Sequence, residues 1–115
     1  MKILVVDDDL HVQRLYKEEF EDEGYEVVVA SNGQEAIEKF EKEVPDIVTL
    51  DILLPDIDGI RVLRQMKEKN PKIPVIMSTA YDYRDDFAVW ASEAYIVKSS
   101  DLEELKAMIK NLLNK

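Results

Sequence analysis

Ile3-Leu4-Val5-Val6-Asp7-Asp8-Asp9, residues 3–9, sets a short apolar, partly β-branched run directly against three consecutive acids. A run of that length closed by polar residues reads as a buried strand. Similar runs recur at Val27 to Ala30, Ile47 to Leu50, Pro74 to Met77 and Tyr95 to Val97, which makes five predicted strands. Between them apolar residues fall at helical spacing. These are Val12, Leu15, Tyr16 and Phe20; Ala36, Ile37 and Phe40; Ile60, Leu63 and Met66; and Leu102, Leu105, Met108, Ile109, Leu112 and Leu113. Each stripe has a polar back face. A further helix, fourth in chain order, is expected over Tyr83 to Ser92, where Phe87, Val89 and Trp90 form no clean stripe. Asp9, either Ser31 with Gln34 or Asn32 with Glu35, and Ser100 with Glu103 are the expected helix starts. Strict alternation of short strands and helices implies right-handed crossovers and a parallel sheet covered on both faces, a doubly wound α/β domain. Ligands of such sheets bind beyond the carboxyl ends of the strands.

The 115 residues fit one domain, and a chain of this length buries about two-thirds of the surface its unfolded form exposes. Fifteen Lys and Arg against 25 Asp and Glu leave a formal charge of -10, which repels a phosphate backbone and excludes non-specific binding to nucleic acid or anionic membrane. With no cysteine, disulfides, thiolate metal sites and a Cys nucleophile are excluded. The apolar start runs into Asp7 after Ile3 to Val6, too short for a signal peptide or a membrane span, so a cytoplasmic location is expected.

The predicted carboxyl ends carry Asp7, Asp8 and Asp9 after strand one, Asn32 after strand two, Asp51 after strand three, Ser78 and Thr79 after strand four, and Lys98 after strand five. Two carboxylates about 4 Å apart repel by about 4 kcal/mol at an effective dielectric near 20, so a cluster of them wants a cation. Hard oxygens without His or Cys favour Mg²⁺, which completes its shell with water and phosphate oxygens. That combination points to phosphoryl chemistry. Lys98 and Thr79 could bind phosphoryl oxygens, and Asp51, isolated at its strand end, is the best candidate for an acceptor carboxylate. Taken singly these residues have plainer readings: Asp9 as a helix cap, Lys98 as a solvated charge.

The whole chain resembles the receiver domain of bacterial response regulators. The resemblance is carried by Ile3-Leu4-Val5-Val6-Asp7-Asp8-Asp9, by Pro45-Asp46-Ile47-Val48-Thr49-Leu50-Asp51-Ile52-Leu53-Leu54-Pro55-Asp56-Ile57-Asp58-Gly59, by Pro74-Val75-Ile76-Met77-Ser78-Thr79-Ala80 and by Tyr95-Ile96-Val97-Lys98. It implies a flavodoxin-like (βα)5 parallel sheet with strand order 2-1-3-4-5, and one receiver domain over residues 1–115 without an output domain. It implies that Asp51 accepts a phosphoryl group from a histidine kinase or histidine phosphotransfer protein. Mg²⁺ would be held by Asp7, Asp8, Asp51 and the backbone carbonyl of Leu53. Thr79 and Lys98 would contact the phosphoryl oxygens, small Ala80 would leave the donor access, and the rotamer of Tyr95 would follow the movement of Thr79. Such a domain catalyses only its own phosphorylation and dephosphorylation. It signals through its fourth helix, fifth strand and fifth helix, as a monomer or a phosphorylation-dependent homodimer.

Lys98 is followed by Ser99 and Ser100, where the family usually has a proline, commonly in a cis bond. A cis bond without proline costs about 2.5–4 kcal/mol, so a trans Lys98-Ser99 bond or an altered loop is expected. Leu53 and Tyr81 occupy the positions that tune hydrolysis in the family, and an apolar and an aromatic side chain there would hinder the attacking water. His11, in a first helical turn, reads as a surface residue rather than a relay. Trp90 reads as core, with a partner contact as its alternative, and the acids Glu18, Glu19, Glu21, Asp22 and Glu23 as a solvated helix face, with a docking role as the alternative. A receiver-like module that acts without phosphorylation is the competing reading, with only the missing proline in its favour. A flavin carrier is disfavoured because Asp7-Asp8-Asp9 would repel the flavin phosphate, and a phosphatase because its nucleophile belongs on strand one.

Overall fold

The computed structural model describes residues 1–79, 94–97 and 102–114. In chain order these form β1 (Lys2–Val6), α1 (Leu10–Asp22), β2 (Glu26–Ala30), α2 (Gly33–Glu43), β3 (Ile47–Leu50), α3 (Gly59–Lys69), β4 (Val75–Thr79), β5 (Ala94–Val97) and α4 (Glu103–Leu113). The expected helix over Tyr83 to Ser92, with Trp90, lies outside the described residues, as do Ala80, Tyr81, Lys98, Ser99, Ser100 and the Lys98-Ser99 bond.

All strand pairs are parallel and the order is β2-β1-β3-β4-β5, as the resemblance implies. Both faces are covered, which is why the strands read as unbroken apolar runs. Leu4, Val6, Val48, Leu50, Val75 and Met77 pack with Phe40, Val62, Leu63 and Met66 of α2 and α3. Their strand neighbours Ile3, Val5, Ile47 and Ile76 pack on the opposite face with Tyr16 and Phe20 of α1 and Leu105 and Ile109 of α4. Phe20 is fully buried, and its truncation to Ala costs about 3–5 kcal/mol.

The helix ends follow local chemistry. Asp9 caps α1 by accepting from the His11 and Val12 N–H groups, and Gly24, at φ 93°, closes it with N–H bonds from Gly24 to Glu21 O and from Tyr25 to Phe20 O. Asn32 caps α2 through the Glu35 N–H, while the Glu35 carboxylate takes the Ser31 N–H, so the Asn32–Glu35 option is the one adopted. His11 is exposed, as expected.

Three expectations change. Leu15 is 40% exposed, whereas Gln13 is 7% exposed, because Gln13, Tyr16 and Phe20 share the inward face and Leu15 stands to one side. Ser78 and Thr79 belong to β4 rather than following it, and Ser78 is buried with its Oγ 3.0 Å from the Tyr16 hydroxyl. The last helix starts at Glu103, with Leu102 at its cap position and no side-chain cap, because Leu102 is drawn into the α1-side core. Lys106 ties α4 to α1: its side chain, 17% exposed, reaches the Glu19 carboxylate at 2.7 Å, and that bond raises its pKa.

Candidate functional site

The chain turns to opposite sides of the sheet after β1 and after β2, so β1 and β3 are neighbours at the switch of winding direction. Val6 and Leu50 are register partners, and the next residue on each strand is an aspartate. The Asp51 N–H donates to Val6 O at 3.0 Å and the Asp7 N–H to Ala30 O at 3.0 Å, so the ladder itself carries both acids side by side. Asp7 and Asp51 are buried and Asp8 is exposed. One carboxylate oxygen from each of the three lies within 4.8 Å of the others.

Local hydrogen bonds aim these groups. Asp7 Oδ1 accepts from the Asp9 N–H at 2.9 Å, and Asp51 Oδ1 from the Leu53 N–H at 3.3 Å. Carboxylates brought this close repel one another, and a cation seated among them offsets that repulsion. The donor set is oxygen only, partly open to solvent through Asp8, and fits a hard divalent ion that keeps several waters.

The loop after Asp51 is clamped from two sides. Asp58 caps α3 through the Ile60 N–H, and the Gly59 N–H donates to Ile52 O at 2.8 Å. A Cβ at Gly59 would lie 2.1 Å from the Asp51 carbonyl oxygen, so only glycine admits this approach. Asp56 reaches across to the start of α2, accepting from Gly33 N at 2.7 Å and Gln34 N at 2.9 Å. The Gln34 bond, then the Gly33 bond, hold the Asp56 carboxyl below the usual carboxylate range.

Of the expected site residues, Asp7, Asp8 and Asp51 come together and Leu53 follows on the clamped loop. The backbone of Thr79 ends β4 opposite Val97, and Tyr95 pairs with Met77 in β5. Lys98, Ala80 and Tyr81 lie outside the described residues. Gln13 and Asp56 were not anticipated. A glutamine at helical spacing from Tyr16 and Phe20 was the available signal for the first; the second joins residues more than twenty positions apart, and nothing local announces it.

The family of the response regulator receiver domain matches residues 3–110. The chain belongs to this family. It is 39% identical over its whole length to the transcriptional regulatory protein TrcR of Mycobacterium tuberculosis, covering 46% of that protein. It is 36% identical to sporulation initiation phosphotransferase F of Bacillus subtilis, over 97% of this chain and 93% of that protein. Except for proteins such as the latter, this receiver spans about half or less of the curated relatives it matches. Among solved structures it is similar to response regulator TrrA of Thermotoga maritima in complex with Mg²⁺-BeF, with 44% identity, a TM-score of 0.93, and 96% and 97% of the two chains covered. TrrA has also been solved with histidine kinase ThkA, and there the TM-score is 0.92, the identity 44% and the coverage 97% of each chain.

Proposed function

We propose that this receiver accepts a phosphoryl group on Asp51 from a phosphohistidine of a histidine kinase or histidine phosphotransfer protein, with Mg²⁺ held by Asp7, Asp8, Asp51 and the backbone carbonyl of Leu53. The observation that carries this reading is the convergence of three carboxylates within 4.8 Å at the switch point of the sheet. An Asp51 carboxylate oxygen forms the new O–P bond as the donor's N–P bond breaks, its electron pair leaving on the imidazole nitrogen; water later hydrolyses the acyl phosphate. Mg²⁺, when bound, offsets the charge of the carboxylates and of the transferring phosphoryl oxygens. Asp7 and Asp8 hold that ion in place, the Thr79 hydroxyl and Lys98 ammonium meet the phosphoryl oxygens, and Ala80 leaves the approach open. Leu53 and Tyr81 hinder the hydrolytic water.

The phosphoryl group adds a charge of about -1.5 to -2 and favours the state that brings Thr79 and Lys98 onto it, with Tyr95 following. Residues 1–115 act as one receiver unit in the cytoplasm, and the only chemistry is phosphorylation and dephosphorylation of Asp51. Output runs through protein contacts of β5, α4 and the segment between β4 and β5, in a monomer or a phosphorylation-dependent homodimer.

The test is intact mass after incubation with acetyl phosphate, with and without Mg²⁺, on the native chain and on Asp51→Asn. The expected result is a single added phosphoryl group that requires both Mg²⁺ and Asp51. An equal gain of mass in Asp51→Asn would overturn the assignment.

A further inference from the structure

The three acids do not hold themselves equally well. Asp7 is fixed through its N–H to Ala30 O and through its carboxylate to the Asp9 N–H, and Asp51 through its N–H to Val6 O and its carboxylate to the Leu53 N–H. Asp8 is exposed, and among the described residues no hydrogen bond holds its carboxylate. Its direction is therefore set by its backbone, beginning with the peptide plane it shares with Asp7. The carbonyl of that plane accepts from a buried side chain. Gln13 Nε2 donates to Asp7 O at 2.5 Å and to Ser31 Oγ at 2.9 Å. An amide nitrogen has two hydrogens, so both are used, and Gln13 is buried on the inward face of α1.

We propose that Gln13 is a positioning residue of the metal site, fixing the Asp7–Asp8 peptide plane and so aiming the Asp8 carboxylate. The proposal rests on the metal-binding reading above and extends it to a residue that touches neither metal nor phosphoryl group. An ion as small as Mg²⁺ demands near-octahedral placement of its ligands, whereas Ca²⁺ tolerates irregular geometry. A carbonyl released from Gln13 is free to turn, and the turn displaces Asp8 without changing the number or charge of the ligands. Selectivity between the two ions therefore reports aim, where loss of folding or of charge would weaken both.

The test is calorimetric titration of the full chain with Mg²⁺ and separately with Ca²⁺, on the native protein, on Gln13→Met, which keeps length and burial but has no donor, and on Gln13→Asn, which is too short to span to Asp7. The expected result is a Mg²⁺ affinity weakened about 10-fold in both variants, in the range found for residues that orient metal ligands. Ca²⁺ affinity should move by less than about threefold, since that ion accepts a displaced ligand. Should only one variant fold, it suffices, because each removes the same bond. Unchanged Mg²⁺ affinity, or equal weakening toward both ions, would overturn the proposal. A native chain that binds neither ion would instead refute the metal-binding reading itself.

Discussion

At Gly59 the constraint is the space beside the Asp51 carbonyl. An added Cβ would lie 2.1 Å from the Asp51 oxygen and 2.7 Å from the Ile52 Cα, and backbone cannot step aside as a side-chain tip can. Gly24 makes a different demand: its φ of 93° is left-handed, but a Cβ there meets nothing within 4 Å. Gly24→Ala is thus expected to cost about 1–2 kcal/mol, the strain of one left-handed residue. Gly59→Ala should cost about 3 kcal/mol or more, at the upper end of overpacking, and should slow phosphorylation because the strand that carries Asp51 must shift. Urea titrations of the two variants check the order, and equal losses would contradict it.

At the scale of the elements, α2 is strained at one end and pinned at the other. Its C-cap, Val44, sits in the left-handed region at φ 47° and ψ 65°, costly for a β-branched residue, and is 72% exposed, so little packing is lost on removing its side chain. Val44→Gly should stabilise the fold by about 0.5–1 kcal/mol, the left-handed strain removed less the entropy a glycine adds to the unfolded chain; a lowered urea midpoint would speak against it. At the other end Asp56 accepts from the otherwise unpaired first-turn N–H groups of Gly33 and Gln34 and complements the helix dipole. Its carboxyl is depressed in the fold by those bonds, so its stabilisation is present above the unfolded value, about pH 3.9, and is lost as pH falls through the lower folded value. Asp56→Asn should therefore be less stable than the native chain at neutral pH, with the difference shrinking as pH falls below the unfolded value and on through the lower folded one. A difference that persists unchanged at acid pH would mean that shape rather than charge makes the clasp.

For the whole molecule, the placing of Asp7 and Asp51 at neighbouring strand ends was legible because each directly follows a short apolar strand, ending at Val6 and at Leu50, while the strand order was supplied by the resemblance to receiver domains. Asp9 was legible as a cap, and Asn32 as one of two candidates beside Ser31, because a cap acts on residues two or three positions away. Gln13 was not, since a glutamine beside an apolar stripe reads as its wet border until Ser31, on another element, is known to face it. Leu102 shows the same limit: the Ser100–Glu103 pattern is local, but burial of Leu102 against α1 decides where the helix begins. The largest consequence spans the molecule. A chain of net charge -10 brings the exposed Asp8 carboxylate within 4.8 Å of two more, and like charges that close repel, a repulsion the unfolded chain relaxes. An ion bound only by the folded state stabilises it by about 2.7 kcal/mol at a hundred times its dissociation constant. For a domain of this size that raises the midpoint of thermal unfolding by about 10 °C. Asp8→Asn removes one of the charges and one ligand together. Its metal-free midpoint should therefore lie above that of the native chain, while its response to Mg²⁺ should fall to that produced by NaCl at matched ionic strength. Thermal unfolding of both proteins in the two salts decides it: a Mg²⁺ shift equally large in Asp8→Asn would place the ion elsewhere on the acidic surface.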